Sequence, residues 1–215
     1  NGIALAVIEL KKSTVSVSNG IRQSLSNQSD YFSKPFYTTI QFVMSGNTSE
    51  GLRYATIEIP EKYYLEWKND KVNTTAQPMD DVSIDILEKC KDLRNKLDWQ
   101  LYSMFQKHRF LDLIHNFIVF DKGIKKVCRH NQFFGVKKAQ LKLKRKQGGI
   151  IWHTQGSGKT LTMVWLSKWI LANNPAARVL IVTDREELDE QMEKVYRGVD
   201  EQVYRTGSCA DLVKK

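Results

Sequence analysis

Apolar and polar positions in the first third of the chain predict short strands with one helix between them. Ile3–Ile8 is an unbroken apolar run, short enough for a strand buried on both faces. Such a strand would be central in a sheet yet begins almost at the first residue, so we expect further residues upstream. Residues 18–32 are polar and in part helical, whereas Tyr37–Met44 alternates as a half-buried strand does, and Leu52–Ile59 predicts another strand. Residues 1–68 thus predict a small α/β domain.

The middle of the chain changes character twice. Residues 69–83 are polar, contain Pro78 and show no periodicity, which is typical of a surface loop. Apolar residues then recur at helical spacing, and we expect residues 84–120 to be helices that join two domains. The segment 69–125 is therefore predicted to be a variable loop followed by connecting helices.

The last third alternates strand and helix signals. Residues 148–152 predict a short strand that leads into a glycine-rich loop, and Thr160–Asn173 predicts a helix that ends before Pro175. Arg178–Thr183 predicts a buried strand, after which Asp184 can cap a further helix. This order is typical of the beginning of a parallel nucleotide-binding sheet over residues 126–215.

Composition narrows the classes of protein. The 215 residues include 33 Lys and Arg against 24 Asp and Glu, a net charge of +9 that favours polyanionic partners. The 41% of hydrophobic residues suffice for a packed core, but no apolar run approaches the roughly 18–20 residues of a membrane span. Three cysteines without a CxxC pair indicate reduced thiols, and four histidines without paired spacing make zinc improbable. With no signal peptide at its start, the sequence predicts a cytoplasmic protein without membrane contact.

The strongest chemical signal is the phosphate loop, which we define as residues 153–160 (HTQGSGKT). A strand-to-helix loop of this type directs backbone N–H groups at bound phosphates, and its glycines permit the necessary tight path. Lys159 can reach the terminal phosphates, and the Thr160 hydroxyl can bind Mg²⁺. His153 stands where the general pattern has its first glycine, as in helicase-type loops. The predicted nucleotide-binding residues of the loop are Thr154, Gln155, Gly156, Ser157, Gly158, Lys159 and Thr160.

Two features upstream of the loop carry weaker signals. Gln132 has an amide that can both donate to and accept from the edge of adenine, although glutamine is also common on helix surfaces. Six cationic residues between 137 and 146 follow on a predicted helix. They predict either sequence-independent contact with DNA phosphates or only a solvated helix face.

The other candidate site is Glu9-Leu10-Lys11 at the end of the first strand. Side chains two residues apart on a strand point to the same face, so a carboxylate that holds Mg²⁺ and an ammonium that stabilises the attacking hydroxide would lie together. Phosphodiester hydrolysis uses such a pair, but a salt-bridged strand end has the same sequence. A second carboxylate is needed, and none stands between Asn1 and Ile8.

Taken together, these stretches resemble the restriction (R) subunit, or motor subunit, of type I restriction-modification enzymes. The matching pieces follow the order of that family: NGIALAVIELKK, GIRQSLSNQ, FYTTIQFVMSGN, GLRYATIE, EKYYLEWK, GGIIWHTQGSGKTLTM and VLIVTDREELDEQ. The resemblance implies an α/β fold in two parts, a partial PD-(D/E)xK-type nuclease domain and the first part of a RecA-like parallel α/β superfamily 2 helicase lobe. It also implies ATP and Mg²⁺ as cofactors and double-stranded DNA as substrate. The implied partners are the methyltransferase (modification) and specificity subunits, of which the latter reads the DNA site.

On this resemblance Glu9 is a metal-binding acid and Lys11 the catalytic lysine of the nuclease. Gln23 matches the glutamine of the family's Q-x-x-x-Y motif, in which Asn27 stands at the tyrosine position. In the motor part Gln132 matches the adenine-reading glutamine, and residues 156–160 match the first helicase motif. Asp184-Arg185 matches the next motif, which often contacts DNA.

The family's first nuclease aspartate would precede Asn1, and its Walker B acid, second lobe and arginine finger would follow Lys215. We therefore expect a fragment of a larger subunit that neither translocates nor cuts efficiently alone, because hydrolysis needs a water-positioning carboxylate and neutralisation of transition-state charge. Two alternatives stay open. One is a superfamily 2 helicase or P-loop ATPase with a non-nuclease accessory domain, and the other is a non-catalytic module that docks on DNA or protein.

Overall fold

The computed structural model describes residues 2–29, 33–68, 93, 95–208 and 210–211. Its first part is a four-stranded mixed sheet of β1 (Ala6–Leu10), β2 (Phe42–Asn47), β3 (Gly51–Ala55) and β4 (Leu65–Glu66), in that spatial order. β1 pairs with β2 in parallel, and the other neighbours are antiparallel. β2 and β3 form a hairpin in which Asn47 faces Gly51, and a 3₁₀ turn, Glu61–Tyr63, precedes β4.

Helix α1 (Val17–Asn27) connects β1 to β2 and covers one face of the sheet. The Ser16 side chain begins it by accepting a hydrogen bond from the Ser18 N–H. A short helix, α2 (Lys34–Tyr37), carries proline in its first turn, where a missing N–H costs nothing. Tyr37, Ile40 and Val43 form a small buried cluster beneath this connection.

The described residues after the sheet are mostly helical. α3 (Lys96–Met104) is capped by the Asn95 side chain, and α4 (Lys107–Asn116) follows it closely. A two-stranded hairpin comes next, β5 (Ile118–Asp121) and β6 (Ile124–Val127), with Lys122 and Gly123 both at positive φ as tight hairpins require. The chain continues through the helices α5 (His130–Lys144), α6 (Lys159–Asn173) and α7 (Glu186–Gly198).

One hydrophobic core extends from the sheet to the last helices. It combines Tyr54 of β3 with Trp67, Phe133 of α5 and Trp165 of α6, among others. The Tyr54 hydroxyl donates to the Cys128 carbonyl oxygen at 2.9 Å, so the β5–β6 hairpin is also hydrogen-bonded to the sheet. Packed aromatic rings therefore connect elements on both sides of the predicted domain limits at 68 and 126.

Several predictions for the first part need correction. The first strand begins at Ala6 rather than Ile3. Among the described residues it pairs on one side only, with β2, and Leu10 is exposed, so the predicted central strand buried on both faces is not seen there. The alternation of residues 37–44 was misleading because Tyr37 ends a helix and the strand begins only at Phe42, where all six residues are buried. The second strand is shorter than predicted and ends at Ala55. The helix of residues 18–32 is confirmed for α1, whereas the loop of residues 69–83 lies outside the described residues.

The last part differs more strongly from expectation. The helices that follow the loop and Arg178–Thr183 are confirmed, but neither predicted strand pairs with another strand among the described residues. Both segments are largely exposed, and apolar sequence alone forms no strand where no neighbour supplies the hydrogen-bonded ladder. Asp184 does not cap α7, because Arg185 is the N-cap residue and no side-chain hydrogen bond closes that end. Within the described residues, no helix is long and apolar enough to cross a membrane.

Candidate functional site

The three predicted nuclease residues lie together at the open edge of the sheet. Glu9 and Lys11 are on β1, and their side chains form an ion pair with the Lys11 Nζ 2.9 Å from the Glu9 Oε1. Lys11 also donates a hydrogen bond to the Gln23 side chain on α1. We call these three residues the Glu9 cluster. Both charged side chains are mostly shielded from solvent but remain partly accessible, 19% for Lys11 and 25% for Glu9.

The close packing of α1 on the sheet brings Gln23 into this cluster. At Gly20 the helix approaches β2 so closely that an added Cβ would lie 2.1 Å from the Ser45 Oγ. Ser45 in turn donates to the carbonyl oxygens of Glu9 and Val17, at 3.1 and 3.2 Å, and so links strand and helix. A glycine and a serine thus set the distance between the two parts of the Glu9 cluster.

The cluster offers one carboxylate for a metal ion. Among the described residues, no group of three or more His, Cys, Asp or Glu side chains could hold a metal. Mg²⁺ is often bound through one or two carboxylates, with waters and substrate phosphates completing its shell. Glu9 therefore supplies one carboxylate of the kind that such a site uses.

Asn27 stands at the tyrosine position of the Q-x-x-x-Y motif. It lies one helical turn after Gln23 and is the last residue of α1.

The phosphate loop has the backbone path that its glycines predict. Gly156 and Gly158 adopt φ of +74° and +82°, a conformation that residues with a Cβ rarely take. Gly158 is the N-cap residue of α6, so Lys159 and Thr160 form its first turn, where N–H groups have no partner within the helix.

Most amides of the loop remain available. Within the described part of the chain, no acceptor pairs with the N–H of Gly156, Gly158, Lys159 or Thr160, whereas the Ser157 N–H makes a long contact of 3.3 Å to the Thr154 carbonyl oxygen. The Lys159 ammonium donates to the carbonyl oxygens of His153 and Thr154, at 3.3 and 3.1 Å. The loop can therefore direct several N–H groups at an anion although no sheet supports it here.

Side chains at the start of α5 hold the loop instead. The Gln132 Nε2 donates to the Gly158 carbonyl oxygen at 2.8 Å, and its Oε1 accepts from the Arg129 N–H at 2.7 Å. Gln132 is only 3% exposed, and in this arrangement both ends of its amide are occupied. The Arg129 guanidinium donates to the Gly156 carbonyl oxygen at 3.1 Å. The sequence analysis identified Gln132 but missed Arg129. The one feature of the sequence that could have indicated Arg129 is its position three residues before Gln132.

A cavity of about 530 Å³ opens beside the loop, within the range of roughly 300–1,000 Å³ typical of small-molecule sites. One wall is the sheet's last strand and its flanks, another is the start of α5, and the third is the loop. The lining residues are Tyr64, Leu65, Glu66, Lys68, Arg129, His130, Asn131 and residues 152–157.

Three titratable groups of this cavity have shifted pKa values. Burial raises the pKa of the Tyr64 hydroxyl to about 12. Burial lowers the pKa of His130, and nearby Lys68 acts in the same direction. For Glu66, burial raises the pKa, but hydrogen bonds from Lys96 and Arg53 outweigh it and the net shift is downward. At neutral pH the cavity therefore contains the neutral imidazole of His130, the Glu66 carboxylate and two cationic side chains, those of Lys68 and Arg129.

The cavity and the Glu9 cluster lie at opposite edges of one sheet. The strand register places Glu9 opposite Ser45, Ser45 opposite Arg53, and Arg53 opposite Glu66. Paired residues of neighbouring strands share a face, so these four form one row across the sheet. With strands about 4.8 Å apart, its ends are roughly 14 Å from each other. At the end of the row beside the cavity, Arg53 and Glu66 form an ion pair with 2.6 Å between the Arg53 Nη1 and the Glu66 Oε2.

The cationic residues of α5 form a stripe at the end of that helix. Thirteen Lys and Arg and no Asp or Glu lie between Asp121 and Asp184. Lys138, Lys142 and Arg145 are exposed and, at spacings of four and three, share one helix face. We call these three residues the basic stripe. Lys137 lies apart from it, because its ammonium pairs with the Asp112 carboxylate at 2.9 Å.

The pair Asp184-Arg185 precedes α7 and is largely exposed, with 4.0 Å between the Arg185 Nε and the Asp184 Oδ2. At that distance the pair makes at most a weak interaction.

Two family models match separate parts of the chain, and each part contains one of the two candidate sites. Residues 1–62 match the family model of the type I restriction enzyme R protein N terminus (HSDR_N), which includes the Glu9 cluster. Residues 131–215 match the SWI2/SNF2 ATPase model, which includes the phosphate loop.

Individual relatives extend the similarity along the whole chain. It is 26% identical to the type I restriction enzyme HindI endonuclease subunit of Haemophilus influenzae, over 96% of this chain and 20% of that protein. It is 23% identical to the SsaAORF53P endonuclease subunit of Staphylococcus saprophyticus, over 100% of this chain and 22% of that protein. The putative MjaIXP endonuclease subunit of Methanocaldococcus jannaschii is 34% identical over 54% of this chain and 12% of its own length.

The resemblance to type I restriction enzyme endonuclease (R) subunits is therefore confirmed. The chain spans about one-fifth of the length of the relatives that align with all or nearly all of it. The mixed α/β fold agrees with this resemblance, and the roles of individual residues remain predictions.

Proposed function

We propose that this chain is the nuclease and motor-start portion of a type I restriction endonuclease subunit. In the intact protein it takes part in ATP-dependent translocation of double-stranded DNA and in endonucleolytic cleavage, together with modification and specificity subunits. The observation that carries the proposal is the presence, in one chain, of the Glu9 cluster and of a phosphate loop with available amides. The relatives named as restriction endonuclease subunits support it.

At the proposed cutting site the Glu9 carboxylate would help to hold Mg²⁺, which would supply activation of a water molecule and stabilisation of charge on the phosphate. Lys11 stabilises the attacking hydroxide or the charge that develops on the phosphodiester. Gln23 accepts a hydrogen bond from Lys11 and so fixes where the ammonium points. Strand and helix thereby orient one acid and one cation toward the same point.

At the loop the free amides of Gly158, Lys159 and Thr160 bind the phosphates of ATP, and the Thr160 hydroxyl is available to a magnesium ion. The Lys159 ammonium contacts the carbonyl oxygens of His153 and Thr154, and its role in the proposal is to exchange them for a terminal phosphate of ATP. The cavity beside the loop has room for the nucleoside. Gln132 does not line that cavity and both ends of its amide are occupied, so its predicted role of reading adenine requires its side chain to leave Gly158 and Arg129 when ATP binds.

The basic stripe is the proposed surface for the DNA backbone. Contacts of this kind are independent of sequence, and each phosphate neutralised releases counterions. In the intact protein the logarithm of the DNA-binding constant should fall with the logarithm of the salt concentration. Replacing all three residues with alanine should reduce the magnitude of that slope by about three. An unchanged slope would leave the stripe as a solvated helix face.

The nuclease assignment is tested by Glu9→Ala and Lys11→Ala in the intact protein. We expect each variant to lose DNA cleavage while ATP hydrolysis continues, because the Glu9 cluster lies across the sheet from the loop. Lys12→Ala is the matched control, since it removes an exposed neighbouring lysine. If both variants cut DNA normally, the chain is better explained as a helicase-type ATPase with an accessory domain.

The motor assignment is tested by Lys159→Ala, with the exposed Lys194→Ala of α7 as control. Loss of ATP binding and of translocation in the first variant alone supports the proposal. Normal ATP binding and translocation with Lys159→Ala would instead favour a non-catalytic docking module.

A further inference from the structure

We propose that Arg129 is a positioning residue of the phosphate loop, which it organises before any nucleotide binds. Its guanidinium holds the Gly156 carbonyl oxygen at 3.1 Å, across 27 residues of sequence. The inference rests on the proposed function of the loop as the ATP site and adds a residue that the match to nucleotide-binding motifs does not include.

The physical basis is the geometry of the peptide unit. In a planar trans peptide the C=O and the N–H point in opposite directions. When Arg129 holds the Gly156 carbonyl oxygen outward, the Ser157 N–H must point to the other side, where it makes its 3.3 Å contact with the Thr154 carbonyl oxygen. In the same way the Gln132 Nε2 holds the Gly158 carbonyl oxygen, which turns the Lys159 N–H away from α5.

These contacts matter more where the backbone is intrinsically free. Gly156 is exposed and lies at φ +74°, and an added Cβ there would meet nothing within 4 Å. Glycine samples many conformations, so an unrestrained loop would pay conformational entropy on binding phosphate. A hydrogen bond from a charged donor is stronger than one between neutral groups and can hold one of those conformations.

The two side chains are themselves held by a rigid element. α5 is buried through Phe133 and Val136, which belong to the main core. The Arg129 N–H donates to the Gln132 Oε1, so the two residues are fixed relative to each other at the start of the helix. Among the described residues, no carboxylate forms an ion pair with Arg129, which leaves its guanidinium for the carbonyl contact.

The test compares Arg129→Ala with Arg178→Ala in the intact protein. Both variants remove an exposed arginine, but only Arg129 contacts the loop. We expect Arg129→Ala to weaken binding of ATP and of inorganic tripolyphosphate by the same factor, about 10- to 100-fold, with the preference for ATP over GTP unchanged. Arg178→Ala should leave both affinities as they are.

A second measurement separates positioning from direct contact with phosphate. Hydrogen–deuterium exchange of the peptide covering residues 153–160, without nucleotide, should be faster in Arg129→Ala only, while the rest of the protein keeps its protection. A loop that exchanges as in the parent protein, or an altered choice between ATP and GTP, would overturn the positioning role.

The Lys159→Ala variant distinguishes a failure of the inference about Arg129 from a failure of the proposed function. If Lys159→Ala abolishes tripolyphosphate binding but Arg129→Ala leaves it unchanged, only the inference about Arg129 is wrong. If neither variant weakens binding, the loop is not the ATP site and the proposed function itself fails.

Discussion

The two candidate sites of this chain are built by different means. The Glu9 cluster rests on a hydrogen-bonded sheet whose strand register orders its residues. The phosphate loop lies between two apolar segments that pair with no strand in the described part of the chain, and Ile150, Trp152 and Val182 are 90, 88 and 83% exposed there. Helix α5 supplies the hydrogen bonds that hold this loop.

The difference shows how much each kind of site depends on its surroundings. On a strand, a spacing of two residues alone places Glu9 and Lys11 on one face. A loop has no such repeat, so its shape depends on glycine dihedral angles and on side chains from elsewhere, such as Arg129. Sequence spacing is therefore a better guide to the first site than to the second.

The largest expected effect concerns the core that joins the two regions. Trp67 is fully buried, and its ring contacts those of Tyr54, Phe133 and Phe134. Trp67→Ala should lower the free energy of unfolding by about 3–5 kcal/mol, measured by denaturant titration. The exposed Trp152→Ala should change it by less than about 0.5 kcal/mol. Two separate unfolding transitions, with only one affected, would show that the regions do not share a core.

A pair of valines compares an observed strand with a predicted one. Val43 lies on β2 and is fully buried, whereas Val182 belongs to the segment that forms no strand here. Val43→Ala should cost about 2 kcal/mol of stability and Val182→Ala less than about 0.5. Equal losses in thermal or denaturant unfolding would mean that residues 178–183 are packed in solution.

The packing of α1 can be tested at Gly20. Alanine there gains up to about 1 kcal/mol of helix propensity, but its Cβ would clash with Ser45, and overpacking costs about 1–3 kcal/mol. We expect a net loss of about 1–2 kcal/mol and weaker DNA cleavage, since Gln23 shifts away from Lys11. Gly207→Ala, where nothing lies within 4 Å, serves as the control. Unchanged cleavage with Gly20→Ala would show that the packing of α1 does not affect the proposed nuclease site.

The smallest effect is a pH dependence at the cavity. Burial first, and then Lys68, lower the pKa of His130 below the ordinary 6.5, while Glu66 acts in the opposite direction and His153 adds to the lowering. Below about pH 6.5 the unfolded chain therefore binds more protons than the folded one, and stability falls as the pH decreases toward the folded-state pKa. His130→Gln should flatten this part of the stability curve. An NMR titration that places the His130 midpoint at or above 6.5 would contradict the expectation.

Local patterns predicted helices well because each helix carries its own periodicity and hydrogen bonds. α1, α5 and α6 lie where the sequence places them. Strands were predicted less well, since a strand needs a partner that its own residues do not specify. Near the start of the chain, the alternating pattern that predicted a strand from Tyr37 begins at a residue that ends a helix. Near the end of the chain, the apolar run that contains Val182 predicted a strand but is exposed and has no neighbouring strand among the described residues.

The sequence by itself determined which residues can do chemistry: an acid and a lysine two positions apart, and a glycine-rich loop before a helix. These follow from residue type and short-range spacing, which the covalent chain sets directly. Only the tertiary structure decided that Gln23 reaches Lys11, that Arg129 holds Gly156, and that one row of side chains crosses the sheet between the two sites. Such contacts depend on how helices pack on a sheet, and packing brings together residues that no local pattern relates.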